Sequence, residues 1–265
     1  WIAYRRLPAF IVTLGGQLIF RGAVLWLTQS NTIPVNNETF IFIGQGYVPK
    51  TVGYILAAVC LVVMILMDIS KRKGRMKYGF KVSATSMAVV KYIIMAVLIG
   101  AFIIVMNIYE GIPVALIIVI ALALLFAFML NKTRFGRYVY AVGGNSQAAK
   151  LSGINNERTV LGVFIILAVT GAISGIILTG RLAAAMPDSG SGLELDAIAA
   201  CVIGGVSLSG GKGNVWGALV GALVMTSLAN GLSLLTLPTY LQNIINGLVL
   251  ILAVWVDAIN SKKTN

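Results

Sequence analysis

Uninterrupted apolar runs recur along almost the whole chain, among them VGYILAAVCLVVMILMD and VALIIVIALALLFAFML. No other feature limits the fold as severely. The hydrocarbon core of a bilayer is about 30 Å thick, and roughly 20 apolar residues in a helix at 1.5 Å each cross it. By that measure we read about eight spans, at 8–28, 53–69, 89–106, 114–130, 161–180, 194–208, 215–230 and 241–258. The stretch 194–208 is short and rich in glycine, so a half-helix or re-entrant segment is the other reading of it. Hydrophobic residues make up 58% of the chain and charged residues 11%, against about 25% charged in soluble domains. The expectation is an all-α, polytopic transmembrane helix bundle forming a single domain over 1–265.

The charges are placed as a membrane protein would place them. Net charge is +12, a value that in a soluble domain suggests nucleic acid. Here the basic residues fall between apolar runs, so we expect no nucleic-acid partner. With the N-terminus inside and alternating spans, 16 of the 20 Lys and Arg lie inside, including Arg5, Arg6, Lys71, Lys81, Arg134, Lys150, Lys212, Lys262 and Lys263. This follows the bias of Lys and Arg towards cytoplasmic loops. Both chain ends are then cytoplasmic, provided that 194–208 crosses. Lys91 falls at the inner edge of its span, and Arg21 lies inside the first. Arg21 either pairs with an acid inside the bundle or snorkels to an interface.

Several chemistries find no residues. The chain has no His and two cysteines, Cys60 and Cys201, both within apolar runs. A disulfide or a metal site is therefore not expected, and the commonest general base is missing. GVSLSGGKG fails as a phosphate-binding loop, because Val206 holds the place of the first glycine and Gly213 that of the Ser or Thr after Lys.

Three constellations remain. The inner loop 131–160 reads NKTRFGRYVYAVGGNSQAAKLSGINNERT up to Thr159. Gly143 and Gly144 break a helix, Asn145 sits where an N-cap belongs, and Gly153 closes a short run containing Ala148, Ala149 and Leu151. Such a helix either docks a soluble partner or rests against lipid headgroups. Next, Glu194 and Asp196 stand at the outer edge of the glycine-rich span. They either line a polar pathway or suit the dipole of a helix N-terminus. Finally, Gly213, Gly217 and Gly221 repeat every four residues, as do Gly171 and Gly175. That spacing puts small residues on one helix face, and packing within the chain is expected at both.

The stretch GRYVYAVGGNSQAAKLSGINNERT resembles the coupling-loop signature of the ABC importer permeases for sugars and branched-chain amino acids. The likeness continues through ELDAIAACVIGGVSLSGGKGNVWGALVGA and closes with PTYLQNIINGLVLILAVWVDA. The basic loop at 71–88 and that closing stretch are most similar to the xylose-type members. The resemblance implies a monosaccharide as cargo, a bacterial inner membrane, and no catalysis by this chain. It implies a cytoplasmic ATP-binding subunit that holds the ATP, a periplasmic sugar-binding protein and a second permease copy, most simply a homodimer. It assigns ATPase coupling to 143–158, with Gly144, Asn145, Ala148, Ala149, Leu151 and Gly153 as the residues concerned. It also implies a complete subunit of roughly ten spans. Trp1 in place of an initiating Met fits a chain lacking its N-terminal spans.

A secondary carrier driven by a proton or sodium gradient is the alternative. Such carriers bury ionisable residues at mid-membrane and show paired broken helices. The clear span cores here hold few charges, and a carrier leaves the long inner loop without a purpose.

Overall fold

The computed structural model describes residues 1–5, 7–77 and 85–262. Arg6, Lys81 and Lys263 lie outside the described residues, as do the side chains of Cys60, Lys262 and residues 71–73 and 75–77. In chain order the elements are α1 (Ile2–Arg5), α2 (Ala9–Thr28), β1 (Ile33–Pro34), α3 (Glu38–Gln45), β2 (Tyr47–Val48), α4 (Lys50–Lys77), α5 (Thr85–Tyr109), β3 (Ile112–Pro113), α6 (Val114–Lys132), α7 (Arg134–Gly144), α8 (Ser146–Leu151), α9 (Asn156–Leu182), β4 (Ala184–Ala185), α10 (Leu193–Ile203), α11 (Val215–Leu234) and α12 (Thr239–Lys262).

Among the described residues, six helices are long and apolar enough to cross a bilayer: α2, α4 over Lys50–Ser70, α5 over Val89–Tyr109, α6, α9 and α11. One of the expected spans departs from this. The one at 194–208 is replaced by α10, whose 11 residues reach only about 16 Å. Gly204 and Gly205 stop it, the latter at φ +81°. The one at 241–258 falls in α12, whose 24 residues are apolar over Thr239–Trp255 among the described residues. The basic run after Ser70 also differs from a loop, since 71–77 continue α4 as helix. Residues 78–84 lie outside the described residues.

The chain divides into two compact units, 1–36 with 119–265, and 37–118. In the second, Asn37 caps α3 by accepting from the Phe40 amide at 3.1 Å. The β2 and β3 pair runs antiparallel, Tyr47 opposite Pro113 and Val48 opposite Ile112. Asp68 ties α4 to α5, accepting from Lys91 Nζ at 2.8 Å and Tyr92 Oη at 2.6 Å. Lys91 is therefore held by an acid at the end of its span.

In the first unit, α10 packs against both α11 and α12. Ala199, Ala200 and Met225 are buried there, with Ile203, Val249 and Leu250 around them. The approach of α10 to α11 is main chain on main chain. A Cβ at Gly221 would stand on the Ala200 carbonyl, and one at Gly217 on the Gly204 carbonyl. Gly213 does not share this face. It precedes α11, at φ +147°, and a Cβ there would meet the Val206 side chain at 3.0 Å. Gly171 and Gly175 of α9 have nothing within 4 Å of where a Cβ would stand. Among the described residues, nothing packs closely on that pair.

The two glycine pairs should respond oppositely to substitution. Gly221→Leu should lower stability in detergent by about 3 kcal/mol, the upper part of the overpacking range. Gly175→Leu should change it by less than about 0.5 kcal/mol, as at sites that touch nothing. Equilibrium unfolding of the two variants checks this.

Candidate functional site

The inner loop is built as two helices, α7 up to Gly144 and α8 from Ser146. Thr133 caps α7 through its Oγ1, which accepts from the Gly136 amide at 3.3 Å. Phe135, Tyr138, Val139 and Val142 recur at helical spacing and give α7 one apolar face against the arginines 134 and 137. Phe135 seats on Gly162 of α9, where a Cβ would come within 2.8 Å of its ring. Asn145 then leaves the helix, at φ −155°, and caps α8. Its Oδ1 accepts from the amides of Gln147 at 3.0 Å and Ala148 at 2.9 Å. Gly153 closes α8 at φ +82°, with its amide on the Lys150 carbonyl at 3.0 Å.

Of the six residues assigned to coupling, Ala149 is buried, while Gly144, Asn145, Ala148, Leu151 and Gly153 are exposed. Leu151 is 90% exposed. Ala149 thus anchors the helix, and Ala148 and Leu151 project from it. Beside α8 lies a cleft of about 750 Å³ lined in part by Gln147, Lys150, Asn156 and Glu157.

The far end of the α10–α11 connection rests on this loop. Gly210 and Gly211 lie against the backbone of Gly143 and Gly144, closely enough that a Cβ at Gly211 would be 2.7 Å from the Gly144 Cα. Tyr140 Oη donates to the Gly213 carbonyl at 2.9 Å. Gly213, expected on the glycine face, thus serves to receive α7 instead, and Asn214 caps α11 through the Gly217 amide at 2.6 Å.

At the other end, the connection from α9 to α10 runs down the side of α2. β1, just beyond the end of α2, pairs with β4. Further on, Asp188 forms an ion pair with Arg21. Further still, Glu194 Oε1 accepts from Gln17 Nε2 at 3.3 Å. Gln17 lies about 12 Å along a helix about 30 Å long. Residues 183–193 therefore descend to near the middle of α2, and α10 completes the passage to the α7–α8 side. The stretch from 183 to 213 crosses as an irregular segment joined to a half-helix. Lys212 stays on the side of Gly144, as the charge argument required.

Glu194 and Asp196 both sit in the first turn of α10, whose N-cap is Gly192 without a side-chain cap bond. Glu194 turns to Gln17. Asp196 is half-buried and makes no hydrogen bond or ion pair among the described residues. Of the two readings of Arg21, the structure takes pairing, with Asp188 of the adjacent connection. Asp188 and Gln17 were not singled out in the sequence. The spacing of Gln17 and Arg21, four residues apart inside an apolar run, was the signal that marks them. Irregular backbone and open ionic groups at this depth are tolerated only where they meet protein or water.

The cap of α8 can be tested on its own. Asn145→Ala should raise amide exchange at Gln147 and Ala148 about fivefold, the effect of losing roughly 1 kcal/mol of capping. Asn145→Asp keeps the acceptor and should leave exchange near the original rate.

The chain was compared with known proteins. It is similar to the xylose transport system permease protein XylH of Haemophilus influenzae, 47% identical over 263 residues, which is 99% of this chain and 70% of that protein. It is 43% identical over 264 residues to XylH of Escherichia coli K12, 100% of this chain and 67% of that protein. The ribose import permease protein RbsC of Escherichia coli K12 is 49% identical over 130 residues, 49% of this chain and 40% of that protein. No solved structure matches the chain. Residues 2–254 match the family described as branched-chain amino acid transport system / permease component, and with relatives of this identity along nearly its whole length the chain belongs to that family of integral membrane permeases.

Proposed function

We propose that this chain is the membrane-spanning permease of an ATP-driven ABC importer that carries a monosaccharide, D-xylose or a related pentose or hexose, across the bacterial inner membrane. The observation that carries this reading is 47% identity to a xylose permease over 263 residues. The chain acts as one permease domain and catalyses nothing itself. A separate cytoplasmic subunit binds and hydrolyses ATP, a periplasmic binding protein delivers the sugar, and a second permease copy completes the pathway.

In this reading the α7–α8 side is cytoplasmic, which puts Lys132, Arg134, Arg137, Lys150 and Arg158 inside. In the first unit, α11 leaves that side and α12 returns to it, so both ends of the chain are cytoplasmic. Ala148 and Leu151 of α8 dock into the ATPase, with Ala149 fixing the helix to the permease. Closure of the ATPase pair pushes α8. The push passes through the contact of Gly143 and Gly144 with Gly210 and Gly211 into α10, and α10 shifts against α2. Rocking of packed elements about a fixed site is how such assemblies alternate access. Glu194 with its partner Gln17, and Asp196 beside it, line the pathway.

The test is capture of the ATPase subunit by the detergent-solubilised permease. A variant with Ala148→Arg and Leu151→Asp should bind it at least about tenfold more weakly, since unpaired charges in a docked surface cost upwards of 1.4 kcal/mol. Equal binding by variant and original would mean that α8 rests on lipid, and the importer reading would lose its coupling element.

A further inference from the structure

Four polar groups face one another across α2 and the α9–α10 connection. The Arg21 guanidinium pairs with Asp188, and one helical turn away the Gln17 amide donates to Glu194 at 3.3 Å. The Arg21 and Asp188 side chains are 43% and 75% exposed. Gln17 and Arg21 lie exposed on one face of α2 with Asp188 and Glu194 exposed beside them, while the neighbouring residues of the helix, Leu18, Ile19 and Phe20, are apolar. An open pair in hydrocarbon is costly, whereas the same pair beside a water-filled path is not.

The donors and acceptors are mixed. The guanidinium only donates, the two carboxylates only accept, and the amide does both. One positive and two negative charges leave the group net negative, and Asp196 in the same turn of α10 adds to that. A neutral polyhydroxylated solute both donates and accepts, and can take over each of these bonds in turn. An anionic solute is repelled.

We infer that Gln17, Arg21, Asp188 and Glu194 form a binding station for a neutral polyhydroxylated sugar, with the Arg21–Asp188 pair as the latch that opens when sugar hydroxyls replace it. This inference rests on the importer reading above. It names the place in the pathway where cargo halts, and it makes rejection of charged sugars a property of the permease itself.

The experiment uses the permease carrying this chain, assembled with its ATPase and binding protein. Cys60 and Cys201 are replaced by alanine, and Ser189→Cys places a reporter thiol in the turn next to Asp188. A water-soluble maleimide should label this thiol. D-Xylose at twice its dissociation constant should slow labelling about threefold by mass action, and D-xylonate should not. Asp188→Asn or Glu194→Gln should each abolish the protection, while Asp188→Glu, which keeps the charge, should retain it. Labelling unaffected by D-xylose in an assembly that still takes up D-xylose would overturn the station and leave the importer standing. Protection that survives Asp188→Asn and Glu194→Gln, or is lost in Asp188→Glu, would also overturn it. An assembly that takes up no pentose or hexose on addition of ATP would overturn the importer reading and the station with it.

Discussion

The Ala200 carbonyl lies where a side chain at residue 221 would begin, and the Gly204 carbonyl lies where one at residue 217 would begin. Lipid supplies no hydrophobic force between helices, so close backbone packing and dispersion must hold them together. At this seam glycine lets two main chains touch, and the short helix α10 depends on it. An 11-residue helix cannot span a bilayer and gains little stability alone. Held against α11 on one side and α12 on the other, it can keep its N-terminal turn near the middle of α2. The irregular stretch before it, the ion pair at Arg21 and the polar bond at Gln17 all follow from that placement.

The same helix joins two distant features. One end of its connection to α11 rests on Gly143 and Gly144, a single residue before the cap of α8. Its other end carries Glu194 against α2. The α7–α8 loop meets the loop 205–213 backbone to backbone at Gly143 and Gly144 and through the Tyr140 hydroxyl on the Gly213 carbonyl. A displacement of α8 thus has a stiff route to the polar groups at mid-span. Route alone is not coupling, and α10 must have a second position for the series to do work.

Much of this was legible in the residues. Length and apolarity located α2, α4, α5, α6, α9 and α11, because a span is defined by a sum over about 20 positions and tolerates local ambiguity. Asn145 and Gly153 announced α8, since a cap and a left-handed stop are local chemistry. Gly217 and Gly221 announced a seam. What was missed needed contacts distant in the chain. Asp188 lies in a serine and glycine-rich turn that reads as a surface loop until Arg21 is seen beside it. Gly213 continues the four-residue spacing, yet the helix begins two residues later, and no local signal says that Tyr140 takes its carbonyl. Gly143 and Gly144 marked the end of a helix before α8, and the bounds and apolar face of α7 follow from Phe135, Tyr138, Val139 and Val142 at helical spacing. The half-length of α10 was open in the sequence, where Gly204 and Gly205 could equally interrupt or end a span.

Amide hydrogen exchange in the assembled transporter reads directly whether α8 and α10 move as one series. Exchange is compared between the nucleotide-free state and the ATP-bound state with hydrolysis blocked. Protection should change together in 143–153 and in 186–213, with the centres of α9 and α11 unchanged. A change confined to 143–153, with 186–213 exchanging alike in both states, would contradict it and leave α10 a fixed wall of the pathway.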